Sequence, residues 1–258
     1  MPASDALELA VVLPTYNERD NVASMVARLG QALEGIGWEA IFVDDDSTDG
    51  TADAARRIAA TDRRIRVIQR IGRRGLASAA IEGMCATAAP VAAVMDADHQ
   101  HDPALLPRML EAIGSGECDL AVASRFAEGA SMDAWNNPER EKASALANAL
   151  ARKVTGVALT DPMSGYFMMR TELLRRDAHR LSGIGFKILL DILATANRSL
   201  RVKEFPLVFA VRAEGDVHGN GVSRPRPGHR LELRSRSVIL WLLPVQTLWR
   251  RHDDCRRR

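Results

Sequence analysis

The sequence predicts an α/β fold, a mostly parallel sheet with helices on both faces. Three observations predict it. Apolar runs alternate with helix-spaced stretches from the start of the chain, and the connections between them are short. Polar clusters follow the apolar runs at their carboxyl ends, where open α/β sheets bind ligands. In order, Leu7 to Pro14 (LELAVVLP) reads as a buried strand and Asn21 to Leu33 as a helix. Trp38 to Asp44 (WEAIFVD) is a second strand, ending in the turn-rich cluster Asp44 to Gly50. A helix from Thr51 to Ala60, a strand Ile65 to Gln69 and a helix Leu76 to Ala88 follow. Val91 to Met95 is a fourth apolar run and meets Asp96-Ala97-Asp98. A helix opening at Pro103, a residue suited to a first turn, leads to a strand Asp119 to Ser124. The second half is less regular: helix over Asn148 to Val157, strand over Tyr166 to Met169, helix over Lys187 to Ala196. Val202 to Val211 is extended, and Pro206 makes it an edge strand or a bulged one. Residues 213–229 are rich in Gly and Pro and read as a loop.

Composition sets outer bounds. With 258 residues, 47% hydrophobic and 26% charged, the chain is neither a disordered tail, a fibrous repeat nor a polytopic membrane protein. A formal net charge of +2 makes no demand for nucleic acid. Cys85, Cys118 and Cys255 are scattered without a C-x-x-C, which fits a reducing cytosol better than a disulfide framework or a zinc ribbon. The first residues lack a basic region followed by an apolar core, so no signal peptide is expected.

The chemistry gathers at three strand ends. Asp96 and Asp98, with Gln100 just beyond, place hard oxygen donors where the chain turns off an apolar strand. Together they suit one divalent cation that keeps positions open for a diphosphate. A solvated loop, or a cap for the helix at Pro103, is the plainer reading of these acids. Pro14-Thr15-Tyr16-Asn17-Glu18 ends the first strand and Val43-Asp44-Asp45 the second. There Tyr16 can cover a base and a carboxylate can accept from base or ribose, while Asp46 to Asp49 serve turn and cap. Three such clusters on neighbouring strands are hard to explain as caps alone.

LPTYNE, VDDDSTDGT and DADHQHDP are similar to the signature segments of glycosyltransferase family 2, with its GT-A fold. Ser124-Arg125-Phe126, Asp161 to Phe167 and Gly185 to Leu190 resemble its polyprenol-phosphate (dolichol-phosphate) mannosyltransferase-like branch, over residues 8–212. The resemblance implies that Pro14, Tyr16, Glu18, Val43 and Asp45 hold the nucleotide. It assigns Asp96, Ala97, Asp98 and Gln100 to the donor diphosphate and its Mg2+ or Mn2+, with Asp98 central to catalysis. Lys187 and Arg212 would neutralise donor phosphates, and Arg125, Arg140 and Ser144 would receive the acceptor phosphate. The implied reaction is inverting transfer of a hexose, mannose from GDP-mannose, to a polyprenyl phosphate, with UDP-glucose or another nucleotide-sugar as the alternative donor. Read without the resemblance, the acids also suit a nucleotidyltransferase or a non-catalytic nucleotide-sugar-binding module. Plain readings stay open for three residue sets: Arg140 as a solvated helix charge between Glu139 and Glu141, His99 and His101 as structural, Lys187 as a surface lysine.

One segment departs from the family pattern R-x-x-G-x-S-K. Arg212 is followed by Gly215-Asp216-Val217-His218, and Gly221-Val222-Ser223-Arg224 restores a glycine, serine and basic residue six positions later. A lengthened loop makes Arg224 the phosphate contact. If His218 takes the place instead, donor affinity is weaker and pH-sensitive.

From Arg224 to Arg258 ten arginines face three acids, +7, so the preceding chain carries −5. Val238 to Val245 is apolar on every side, with Trp241 and Trp249 in the same stretch. As helix, residues 238–249 reach only about 18 Å against roughly 30 Å of hydrocarbon. The expectation is a catalytic domain 1–212, an active-site loop 213–229 and a helix over 230–258. That helix either docks on protein or lies in the membrane interface on the cytoplasmic side, its arginines on anionic lipid. Some relatives carry membrane-spanning helices after the catalytic domain, so the resemblance also implies a membrane-spanning partner protein.

Overall fold

A computed structural model describes residues 6–128, 159–196 and 199–207. Their strands are β1 (Leu9–Thr15), β2 (Trp38–Asp44), β3 (Ile65–Gln69), β4 (Val91–Val94), β5 (Leu120–Ser124), β6 (Phe167–Arg170) and β7 (Val202–Pro206). The helices are α1 (Arg19–Ala32), α2 (Thr51–Ala59), α3 (Leu76–Ala86), α4 (Leu106–Gly114), α5 (Thr171–Asp177) and α6 (Ile188–Thr195). A 3-10 turn, Pro103–Leu105, precedes α4; Asp102 caps it by accepting from the Ala104 amide.

The sheet order is β3-β2-β1-β4-β6-β5-β7. β1 pairs in parallel with β2 and β4, and β2 with β3. Every residue of β1 and β2 is buried, as strands covered on both faces require. Alternation then sorts the side chains. Leu9, Val11 and Leu13 join a core with Met25 and Leu29 of α1, Ala55 of α2 and Met109 of α4. Ala10 and Val12 join the opposite core with Ala80 and Met84 of α3, Leu174 of α5 and Leu189 of α6. Helix α3 is built of small residues and sits close to the sheet. A Cβ on Gly83 would stand 2.4 Å from Val12 Cγ1 and 2.9 Å from Val43 Cγ2.

The expected mostly parallel α/β sheet is therefore present, with one addition. β6 runs antiparallel between β4 and β5, and β5 pairs in parallel with β7, which ends at Pro206 on the sheet edge. Because β2 and β4 flank β1 on opposite sides, successive connections diverge there and leave a crevice at the carboxyl ends of β1 and β4. The expected helix over Asn148 to Val157, the loop 213–229 and the helix over 230–258 lie outside the described residues.

Candidate active site

The ends of β1, β2 and β4 carry Tyr16, Glu18, Asp45, Asp96 and Asp98 of the residues singled out from sequence. At the end of β1, the Asn17 amide donates to Ser47 Oγ at 2.9 Å and the Thr48 amide donates back to Asn17 Oδ1. These bonds tie the Tyr16 turn to the loop after β2, and Asn17 takes a left-handed φ of 55° to do so. Glu18 is buried; its amide donates to Thr51 Oγ1 and its carboxylate accepts from Asn21 Nδ2. Asp49 accepts from the amides of Thr51 and Arg19, so it ties the first turns of α1 and α2 together. Pro14 and Val43 are interior strand residues. The Val43 side chain faces Gly83, so it has only backbone to offer a ligand.

Asp45 is buried and both of its oxygens are engaged. Oδ1 accepts from Arg70 Nη1 at 2.6 Å and Oδ2 from the Gly75 amide at 2.6 Å. Arg70, buried like its partner, also donates to the Gly75 carbonyl and to Ser78 Oγ. Its Nε approaches Glu82 at 3.3 Å without the alignment of a hydrogen bond. Asp46, at φ 59°, accepts from the Gly72 amide. Two adjacent carboxylates thus hold both ends of the turn 72–75. That turn sets the Arg74 guanidinium 4.3 Å from the Tyr16 ring centre, so Tyr16 enters the site as part of a cation–π stack.

The acidic loop follows β4 rather than continuing it. Asp98 is buried and accepts from the Gln100 amide; Asp96 is partly exposed; Ala97 is buried. His99 adopts φ 66° and is pinned by Ser24 and Arg28 of α1. His101 accepts from the Asp96 amide at Nδ1 and stacks on Tyr166 at 5.2 Å, while Tyr166 Oη donates to the Asp102 carbonyl. Burial is the main cause that pushes the His101 pKa down to about 4, so the ring is neutral at pH 7. Its 3.7 Å approach to the Asp96 carboxylate is therefore not an ion pair. Burial likewise raises the Tyr166 phenol above its ordinary range. A neutral imidazole and a neutral phenol brace the acidic loop from behind and add no positive charge to it.

Among the described residues no three His, Cys, Asp or Glu side chains form a self-sufficient metal cage. The donor chemistry of Asp96, Asp98 and Gln100 nonetheless fits a hard cation whose remaining ligands come from a diphosphate.

On the next strands Arg125 follows β5 with its fork turned on Asp161, Nε to Oδ2 at 2.8 Å and Nη2 to Oδ1 at 2.9 Å. Asp161 is fully buried, and its amide, with the amide and hydroxyl of Thr160, donates to Glu204 of β7. The guanidinium expected on the acceptor phosphate is thus held in orientation by a buried carboxylate. Lys187 precedes α6, its Nζ 5.5 Å from the Phe186 ring centre. Arg140, Ser144, Arg212, His218 and Arg224 lie outside the described residues.

Comparison with known proteins identifies the family. The family model described as glycosyl transferase family 2 matches residues 10–177. The chain is 38% identical over 216 residues to a dolichol-phosphate mannosyltransferase of Pyrococcus furiosus, covering 81% of this chain and 58% of that protein. It is 32% identical to the dolichol-phosphate mannosyltransferase of Saccharomyces cerevisiae, covering 84% and 82% of the two chains. It is 34% identical to the undecaprenyl-phosphate mannosyltransferase of Micrococcus luteus, covering 83% and 88%. Among solved structures it resembles glucosyl-3-phosphoglycerate synthase of Mycobacterium tuberculosis in complex with Mn2+, UDP-glucose and phosphoglyceric acid. There the TM-score is 0.59 at 19% identity, over 83% of this chain and 74% of that one, a likeness of fold. By family model and by identity alike, the chain belongs to glycosyl transferase family 2.

Proposed function

We propose that this chain transfers a hexose, mannose from GDP-mannose, to a polyprenyl phosphate in one inverting displacement at the sugar carbon. The observation that carries the reading is the rim itself. Tyr16, Asp45, Asp96 with Asp98, and Arg125 follow four strands of one sheet, in a chain similar over most of its length to enzymes named dolichol-phosphate and undecaprenyl-phosphate mannosyltransferase.

The chemistry asks little covalent work of the protein. A lipid monophosphate has a second pKa of about 6, so near neutrality it is mainly a dianion and attacks without a general base. Catalysis then reduces to position and charge. Tyr16 with Arg74, Glu18 and the backbone at Pro14 and Val43 line the nucleotide end, and Asp45 fixes the turn that carries Arg74. Asp96, Asp98 and Gln100 would hold Mg2+ or Mn2+, which supplies neutralisation of the departing nucleoside diphosphate. Arg125, oriented by Asp161, receives the incoming phosphate, for which a planar fork suits better than an ammonium. From sequence alone we assign Arg140 and Ser144 to the same phosphate, and Lys187, Arg212 and Arg224 or His218 to the donor phosphates. Residues 230–258 are assigned to the membrane interface, placing the enzyme peripherally on its cytoplasmic face, alone or beside a membrane-spanning partner.

The test is a screen of radiolabelled GDP-mannose, UDP-glucose and other nucleotide-sugars with a polyprenyl-phosphate acceptor, followed by extraction into organic solvent. Label from GDP-mannose is expected in the lipid phase, and excess chelator abolishes it. No lipid-extractable product from any donor overturns the reading. Asp98→Ala should lower transfer by roughly a hundredfold or more while leaving the circular dichroism spectrum unchanged.

A further inference from the structure

Among the described residues the exposed large apolar side chains are Ile71 at 76%, Ile184 at 69% and Phe186 at 56%. All three lie on two loops that close on the first turn of α3. The Ile71 loop is fastened there by Arg70, which donates to Ser78 Oγ, and by Asp45, which accepts from the Gly75 amide. The Ile184–Phe186 loop is fastened there by the Ala77 amide, which donates to the Gly185 carbonyl at 3.1 Å. A Cβ on Gly183 would stand 3.6 Å from Ser78 Cβ, so the two loops meet across that serine. The same loops carry Arg74 and Lys187, which face other tasks in the site, and Arg73, which pairs with Glu82 at 3.1 Å and still leaves 59% of its side chain exposed. Since α3 starts just past the end of β3, they belong to the rim that holds Tyr16 and the acidic loop.

Single exposed apolar residues need no explanation. Here the apolar tips are gathered on two adjoining loops, both fastened to the start of α3, with the exposed Arg73 two residues from Ile71. Apolar tips with basic neighbours complement a bilayer surface bearing anionic headgroups. We propose that these paired loops are a membrane contact of the catalytic body, with Ile71, Ile184 and Phe186 entering the headgroup region of an anionic bilayer. The contact turns the mouth of the site toward the leaflet that supplies the lipid phosphate, and in that purpose it rests on the function proposed above. Its residues precede 230–258 in the sequence, and the test leaves that segment intact.

The full chain is sedimented with phosphatidylcholine vesicles with and without phosphatidylglycerol, as wild type and as Ile71→Glu/Ile184→Glu. The variant is expected to partition onto anionic vesicles at least about tenfold more weakly. Its transfer to a short-chain, water-soluble prenyl phosphate stays at the wild-type rate, while transfer to vesicle-embedded acceptor falls with partition. Unchanged partition overturns the proposal. So does a wild-type dimer that the variant dissolves in sedimentation velocity, which gives the tips to a second copy. Equal loss of soluble-acceptor transfer also overturns it, because it gives them to another segment of the chain. If the wild type modifies no prenyl phosphate at all, the function fails, and vesicle partition still decides the contact.

Discussion

Arg70 and Asp45 pair with 3% and 2% of their side chains exposed. Removing one partner strands a buried charge, so Arg70→Met should cost about 3–5 kcal/mol in urea denaturation. Replacing both, as Arg70→Met/Asp45→Leu, should recover most of that stability. It should not recover donor affinity, because the turn bearing Arg74 loses its anchor; KM for the nucleotide-sugar rises while kcat changes less. His101 provides a pH test. Its folded pKa of about 4 lies below the ordinary 6.5, so between those values the unfolded chain binds the extra proton. Stability is therefore complete above pH 6.5 and falls as the pH drops toward 4, by a total on the order of 3 kcal/mol. Urea midpoints across that window should show the slope. His101→Asn, which keeps an acceptor for the Asp96 amide, should flatten it.

At the scale of elements, α3 lies so close to the sheet that Gly83 has no room for a side chain. Gly83→Ala gains about 1 kcal/mol of helix propensity but drives a methyl into Val12 and Val43. The expected net result is a loss of about 1–2 kcal/mol, read from chemical denaturation and relieved by adding Val12→Ala. The strands around α3 were legible as apolar runs because burial on both faces leaves a continuous signal; β3 matches its expected span, Ile65 to Gln69. The direction of β6 was not legible. An apolar run reports burial, and nothing in Phe167 to Arg170 distinguishes parallel from antiparallel pairing. The short α5 was missed because seven residues, three of them buried, carry too little periodicity. In the site the acids could be read because they punctuate strand ends. Their partners could not: Arg70 lies 25 residues from Asp45, Asp161 lies 36 from Arg125, and Glu204 lies 44 from Thr160. Only the fold brings such groups together. Arg74 had a local signal, an arginine directly before a glycine turn, but its place over Tyr16 depends on the anchoring carboxylates.

For the molecule as a whole, ligand binding should register as stability. At a hundredfold excess over Kd, GDP with Mn2+ should raise the melting temperature by roughly 5–10 °C in scanning calorimetry. Asp98→Ala should melt like the wild type without ligand and lose the increment that Mn2+ adds. No helix among the described residues is long and apolar enough to cross a membrane. The ion pair of Arg125 with Asp161, and the 2.6 Å hydrogen bond between Ser124 and Thr160, join the end of β5 to the residues before β6 at two points. Cutting one of these fastenings, as in Thr160→Val, should therefore cost about 1 kcal/mol in urea denaturation, and cutting both should part strands that are neighbours only through folding.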